Sequence, residues 1–206
     1  MMTIAATATN LPQSSLLPGF ADPVHDSQRT FRALLDALAR PGILQSTPAL
    51  TAPSELTSSC AAACLTLLDL ETSVWLQPCL PESVRSWLLF YTGCCFTPDP
   101  NTADFAIIVD VESAPSLDQF CYGTPEYPEA STSLLMQIPS MEGGLEVTLK
   151  GPGILDAIAI APSVTVDFWQ QWQEMTTEYP LGLDVWFFAD EQILGLPRTA
   201  RLSSEG

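Results

Sequence analysis

Two kinds of hydrophobic pattern alternate along this chain. Between Asp22-Pro23 and Arg40-Pro41-Gly42, apolar residues recur with a helical period at Phe31, Leu34, Leu35 and Leu38. This spacing predicts a first helix that is capped by Asp22 and stopped by the Pro-Gly pair. Similar spacing predicts later helices that begin at Ser54 or Thr57, at Pro81, at Ser116 (a short one, to Tyr122), and at Ser163 or Asp167.

Apolar runs bounded by acidic residues predict buried strands. Asp104–Asp110 and Asp184–Asp190 have the continuous apolar pattern of central strands covered on both faces. Ile193–Pro197 follows the second run after a short turn and predicts a terminal hairpin. Shorter strands are predicted at Gly42–Gln45, Ser73–Gln77, Leu134–Ile138 and Leu145–Leu149, whereas 154–160 is apolar but ambiguous. Helices interleaved with buried strands predict an α/β fold, with a mixed sheet flanked by helices.

Length and composition limit the organisation to one folded unit. The 206 residues are 47% hydrophobic and contain no evident repeat or linker. Residues 1–17 are rich in Thr, Ala and Ser and carry no Lys or Arg. We therefore expect 1–17 to be a flexible N-terminal arm, neither a secretion signal nor a transit peptide, and 18–202 to form a single α/β domain.

The charge balance excludes some classes of partner. Seven basic residues against 24 acidic ones give a net charge of −17, which repels nucleic-acid phosphates and anionic membranes. No apolar run is long enough to predict a transmembrane helix. Without a secretion signal, the six cysteines are expected to be free thiols in a reducing cytoplasm.

The residue types needed for common catalytic centres are scarce. His25 is the single histidine, so a Ser-His-Asp or Cys-His unit would have to use it, although it lies in the first turn of a predicted helix where a solvated role is the default. Cys60 and Cys64 are spaced for one helix face, but no second pair accompanies them. We interpret the cysteines as buried apolar side chains and predict no metal site. No Gly-rich phosphate loop is present.

Lys150 is the only lysine, so any pyridoxal-phosphate Schiff base would need it. Its place at a strand end favours a solvated role instead.

Arginines form two groups in this acidic chain. Arg29, Arg32 and Arg40 lie on the first helix, and Arg198 and Arg201 lie near the C-terminus. A guanidinium binds phosphates and carboxylates bidentately. The hypothesis from the residues is a ligand or partner contact made by Arg29, Arg32, Arg198 and Arg201, with Asp184 at a strand start. The alternative is that these arginines form salt bridges within the chain.

Several ordered blocks carry a resemblance to a known family. They are Pro18–Gly42, Leu65–Trp75, Gly151–Ile154, Tyr179–Asp184 and Leu196–Thr199, and together they span about residues 18–202. In this order the blocks resemble the PhnH family, a subunit of the carbon–phosphorus lyase core complex of phosphonate metabolism.

The resemblance implies a role beyond what composition and spacing indicate. It implies a cytoplasmic homodimer that associates with the core subunits PhnG, PhnI and PhnJ. With them it would support formation of α-D-ribose 1-methylphosphonate 5-triphosphate from ATP and methylphosphonate. The implied fold is similar to that of pyridoxal-phosphate-dependent transferases but without the cofactor, and no catalytic residue is implied. The alternative is a stand-alone homodimer that binds a phosphonate or nucleotide anion through arginine side chains.

Overall fold

The computed structural model describes residues 17–203, so the expected arm 1–17 lies outside the described residues except for Leu17. Four α-helices occur within this range, α1 (Pro23–Ala39), α2 (Ser58–Leu67), α3 (Glu82–Thr92) and α4 (Val166–Met175). The strands in the same range are β1 (Gln45–Ser46), β2 (Ser73–Leu76), β3 (Cys95–Phe96), β4 (Phe105–Ile108), β5 (Ser133–Gln137), β6 (Val147–Lys150), β7 (Ile158–Ile160), β8 (Asp184–Ala189), β9 (Gln192–Leu196) and β10 (Arg201–Leu202).

A seven-stranded mixed sheet forms the centre of the fold. Its strand order is β1-β9-β8-β5-β4-β2-β3. The five strands from β8 to β3 are parallel to one another, β9 is antiparallel to β8, and β1 is antiparallel to β9. The predicted α/β class and mixed sheet are confirmed, and so is the hairpin that links β8 to β9. A second sheet of order β10-β6-β7 is antiparallel.

Side-chain alternation divides the core between the two faces of the large sheet. In β8, Trp186 and Phe188 pack with α1, α2 and α3, whereas Val185 and Phe187 pack with α4 and the small sheet. One of these side chains also makes a hydrogen bond between layers, since Trp186 Nε1 donates to the Leu34 carbonyl at 3.0 Å. All five tryptophans are buried, so they form core and not surface.

Helix α1 begins where its sequence predicts. The Asp22 side chain accepts from the backbone N–H of His25 at 3.2 Å, and Pro23 occupies the first turn. The periodic apolar positions, however, do not all face the core. Leu34 is buried, whereas Phe31 and Leu35 are 51% and 57% exposed.

Other expectations need correction. The predicted helix Ser116–Tyr122 is only a single 3₁₀ turn at Leu117–Gln119, and the strands β3 and β10 have no counterpart in the sequence prediction. The cysteines are not uniformly buried, because Cys79 and Cys95 are exposed. Their exposure shows that an apolar environment cannot be inferred from the residue type alone.

Candidate functional site

The carboxyl edge of the parallel strands is the usual ligand site of an open α/β sheet, at the point where strand order reverses. Here that point lies between β2 and β4, because the chain leaves β2 towards β3 on one side and leaves β4 towards β5 on the other. The crevice contains the buried side chain of Gln77, which directly follows β2.

Gln77 closes the crevice with hydrogen bonds to the chain that follows β4. Its Oε1 accepts from the backbone N–H groups of Val109 and Asp110, both at 2.9 Å. Its Nε2 donates to the Asp110 carbonyl at 2.8 Å and to Ser113 Oγ at 3.1 Å. All donors and both acceptor positions of this amide are used within the chain.

A second glutamine has a similar role two strands further along the sheet. Gln137 ends β5, accepts from the backbone N–H of Thr57 at 2.5 Å, and donates to the Glu55 carbonyl at 2.9 Å. The segment that leads into α2 is thereby attached to the carboxyl end of β5. Neither glutamine stands out in the sequence as a site residue. The one local signal for each is a polar residue at the end of an apolar strand.

Arg198 and Asp184 come together, as one of the two hypotheses for the arginines requires. Arg198 Nη2 lies 2.7 Å from Asp184 Oδ2, and Nη1 donates to the Pro128 carbonyl at 2.7 Å. Nη2 also donates to Ser131 Oγ at 2.6 Å. The guanidinium is mostly buried and largely saturated by the chain itself, so its geometry is that of a structural salt bridge.

The arginines of α1 differ from one another. Arg29 pairs with Asp26, and Arg40 pairs with Asp36 at 2.9 Å. The Arg32 side chain is exposed and makes no hydrogen bond or ion pair within residues 17–203. Arg201, in β10, is also exposed and lines a cleft together with Lys150. The two arginine groups therefore do not converge on one ligand.

The acidic cap of α1 is electrostatically stabilised. The backbone N–H of Asp22 donates to Asp26 Oδ2 at 3.0 Å. This hydrogen bond, followed by that from Arg29, lowers the pKa of Asp26 below its ordinary value of 3.8. The His25 side chain is exposed, and its Nδ1 lies 2.7 Å from Asp22 Oδ2. This surface position agrees with the solvated role expected for it.

Apolar side chains form an exposed stripe on α1. Val24, Phe31 and Leu35 are spaced by seven and four residues and lie on one helix face, with Val24 75% exposed. No element within residues 17–203 covers these side chains, and an exposed apolar stripe on a helix is typical of a surface that another protein covers. We call these three residues the α1 stripe.

Two classes of feature are absent from the described part of the chain. Between residues 17 and 203, no three His, Cys, Asp or Glu side chains are grouped so as to hold a metal ion. No helix in that range has the length and apolar character to cross a bilayer.

Comparison with known proteins identifies the family. A family model described as "Bacterial phosphonate metabolism protein (PhnH)" matches residues 18–203. The chain belongs to the PhnH family. The resemblance seen in the ordered sequence blocks is thus confirmed, over the same span of the chain.

Two curated relatives of this PhnH family member illustrate the range of similarity. The "Alpha-D-ribose 1-methylphosphonate 5-triphosphate synthase subunit PhnH" of Rhizobium meliloti is 40% identical over 197 residues, which cover 94% of this chain and 98% of that protein. The "Putative C-P lyase subunit protein HtxG" of Stutzerimonas stutzeri is 27% identical over 85 residues, 41% of this chain and 44% of that protein.

Proposed function

We propose that this chain is a subunit of the carbon–phosphorus lyase system of phosphonate catabolism. Together with partner subunits it supports formation of α-D-ribose 1-methylphosphonate 5-triphosphate from ATP and methylphosphonate. The observation that carries this proposal is the 40% identity to a named synthase subunit over nearly the full length of both chains. Identity at this level over a whole domain supports a shared place in the same assembly.

The role of the subunit in this proposal is structural. The crevice at the β2–β4 switch point is filled by the side chain of Gln77. Within the described residues, His25 is paired with Asp22 on the surface, and its side chain makes no hydrogen bond to a cysteine or serine that would act as a nucleophile. Both observations support chemistry carried out elsewhere in the assembly.

The partners proposed are the core subunits PhnG, PhnI and PhnJ, and a second copy of this chain, in the cytoplasm. The proposed fold likeness to pyridoxal-phosphate-dependent transferases, without the cofactor, belongs to the same proposal. The α1 stripe supports assembly, because it presents apolar area that a subunit interface would bury. The net charge of −17 favours basic surfaces on the partners.

Co-expression with the other core subunits, followed by purification through a tag on one of them, tests the proposal. We expect the wild-type chain to purify in a stable complex whose mass includes several subunits. The double variant Phe31→Ser/Leu35→Ser is expected to be lost from the complex or retained at a small fraction of the wild-type amount. Leu155→Ser is the matched control, since Leu155 is 98% exposed but lies in the loop between β6 and β7.

The outcomes distinguish two hypotheses, that the chain is a subunit of the complex and that the α1 stripe is its interface. Failure of the wild-type chain to associate with any core subunit contradicts the subunit role. Retention of the double variant at the wild-type level contradicts the α1 stripe as interface while leaving the subunit role intact. If acidic residues contribute, association weakens as salt rises; salt-independent association contradicts the charge argument.

A further inference from the structure

A cleft of about 370 Å³ lies where β6 ends and β10 begins. This volume falls within the range of small-molecule sites, about 300–1,000 Å³. The lining residues are Lys150, Gly151, Pro152, Tyr179, Thr199 and Arg201. None of them takes part in the closed crevice at the carboxyl edge of the large sheet, so this is a separate place in the molecule.

The cleft concentrates positive charge in a strongly acidic protein. Arg201 and Lys150 are direct partners across the antiparallel pair β10–β6, and residues directly opposite each other project from the same face of a sheet. They are two of only seven basic residues in a chain of net charge −17. Within residues 17–203 the Arg201 side chain makes no hydrogen bond or ion pair, so its guanidinium is available to pair with an anion.

Neutral donors complete the lining. The hydroxyls of Thr199 and Tyr179 make no hydrogen bond within residues 17–203, and Tyr179 is 52% exposed. Gly151 lets the two chain segments meet, because a Cβ at this position would lie 2.6 Å from the Thr199 carbonyl oxygen. Gly151 thereby keeps Thr199 close to the end of β6, next to Lys150.

We propose that this cleft binds a small anion that carries a phosphate or phosphonate group. Arg201 provides the bidentate contact, Lys150 a second positive charge, and Thr199 and Tyr179 neutral hydrogen-bond donors. Lys150 also interacts within the chain, so the larger share of the binding is assigned to Arg201. The proposal rests on the cleft alone and holds whether or not the chain is a synthase subunit.

Isothermal titration calorimetry on the purified full-length chain at constant ionic strength tests the site. The probes are methylphosphonate and inorganic pyrophosphate, with acetate as an anion that lacks phosphorus. We expect at least one phosphorus anion to bind more tightly than acetate. Arg201→Gln is expected to raise its dissociation constant about tenfold or more, as loss of a charge-assisted pair requires.

Arg32→Gln is the matched control, because it removes the same charge from another exposed and unpaired arginine. We expect less than a twofold change for it. Thr199→Val, which leaves the net charge unchanged, is expected to weaken binding by a smaller factor than Arg201→Gln. Thermal melting of each variant checks that the fold is retained.

Three results would overturn the proposal: no heat from either phosphorus anion at millimolar concentration, equal weakening by Arg201→Gln and Arg32→Gln, or acetate binding as tightly as the phosphorus anions. Tighter binding of methylphosphonate than of pyrophosphate supports the site with a phosphonate as its ligand. The reverse order supports the site with the phosphate chain of a nucleotide. Complex formation is measured separately by co-purification, so failure here does not affect the subunit role.

Discussion

The carboxylate of Asp184 is held by Arg198 through both the side chain and the backbone. Arg198 Nε and Nη2 lie 3.2 and 2.7 Å from Oδ2, and the backbone N–H of Arg198 donates to Oδ1 at 2.8 Å. The same guanidinium binds Ser131 and the Pro128 carbonyl. One side chain therefore joins the start of β8, the segment after β9 and the turn that precedes β5.

Replacing Arg198 is expected to destabilise the protein. Arg198→Met keeps the apolar part of the side chain but leaves the Asp184 carboxylate without its cation, at a cost of about 2–4 kcal/mol in the free energy of unfolding. Urea denaturation measures this change. Arg32→Met, at an exposed position, is the control and is expected to change stability by less than about 0.5 kcal/mol. Equal stability of the two variants would show that the Arg198 contacts contribute nothing.

Gln77→Leu tests the closure of the carboxyl edge. The substitution keeps a similar volume but leaves the N–H groups of Val109 and Asp110 without their acceptor, so we expect a loss of about 2–4 kcal/mol. Gln173→Leu, at an exposed position of α4, serves as the control. The two unfolding curves should differ clearly in midpoint; superimposable curves would mean that water satisfies the exposed N–H groups at no cost.

Two glycines with nearly equal positive φ provide a matched pair. Gly153 and Gly143 have φ values of 82° and 86°. A Cβ at Gly153 would lie 2.1 Å from the Ala39 carbonyl oxygen, whereas a Cβ at Gly143 meets nothing within 4 Å. Both Ala variants carry the strain of positive φ, about 1–2 kcal/mol. Gly153→Ala should lose at least about 2 kcal/mol more, because α1 must move away from the β6–β7 loop. Thermal melting compares them, and equal losses would contradict the close packing.

The start of α1 is expected to weaken in acid. The pKa of Asp26 is lowered by the Asp22 N–H and by Arg29, and the pKa of Asp22 is lowered by the His25 N–H. A carboxyl whose folded-state pKa is lowered contributes stability at neutral pH that is lost as pH falls below about 4. The Asp26→Asn variant should therefore lose less stability than the wild type between about pH 5 and pH 2. Unfolding followed by circular dichroism at several pH values measures this, and parallel pH curves would contradict it.

The cysteines should divide by exposure in their reaction with an alkylating reagent. Cys79 and Cys95 are exposed and should react first in the native protein. The hydrogen bond with Cys60 and burial raise the pKa of the Cys64 thiol, and burial raises that of Cys94. These two thiols should react only on unfolding. Mass spectrometry of time points assigns each site, and early labelling of Cys64 would contradict the buried assignment.

The long helices and strands of this fold can be predicted from short-range signals in the sequence, such as capping residues and apolar runs. The ends of α1 follow from Asp22, Pro23 and the Pro-Gly pair after Arg40, all within a few residues of the ends they determine. The wrong helix at Ser116–Tyr122 shows where local signals fail. Its single turn is held by Gln171 of α4, whose Oε1 accepts from the Leu117 N–H at 2.6 Å, and this partner is more than fifty residues away.

The candidate site depends on the same distant pairings. Arg198 and Asp184 are both candidate site residues from the sequence alone. Whether they contact a ligand or form a salt bridge with each other depends on the register of the β8–β9 hairpin, which the sequence does not show. The two-residue strand β10 carries no periodic signal, so the juxtaposition of Arg201 with Lys150 was not predictable. The helical period of α1 also predicts burial incorrectly at two of its four apolar positions, since Phe31 and Leu35 remain exposed.

The position of Gln77 decides which groups a ligand could reach at the carboxyl edge of the large sheet. Two successive backbone N–H groups after a parallel strand are the donors that α/β enzymes commonly offer to an anion, and here they bind the amide oxygen of residue 77 instead. The side chain of Gln77 thus occupies the position that a bound anion would take at this edge. An anion could reach these two N–H groups only if the Gln77 side chain swung away or were shortened, and either change would break the hydrogen bonds that attach the end of β2 to the chain after β4.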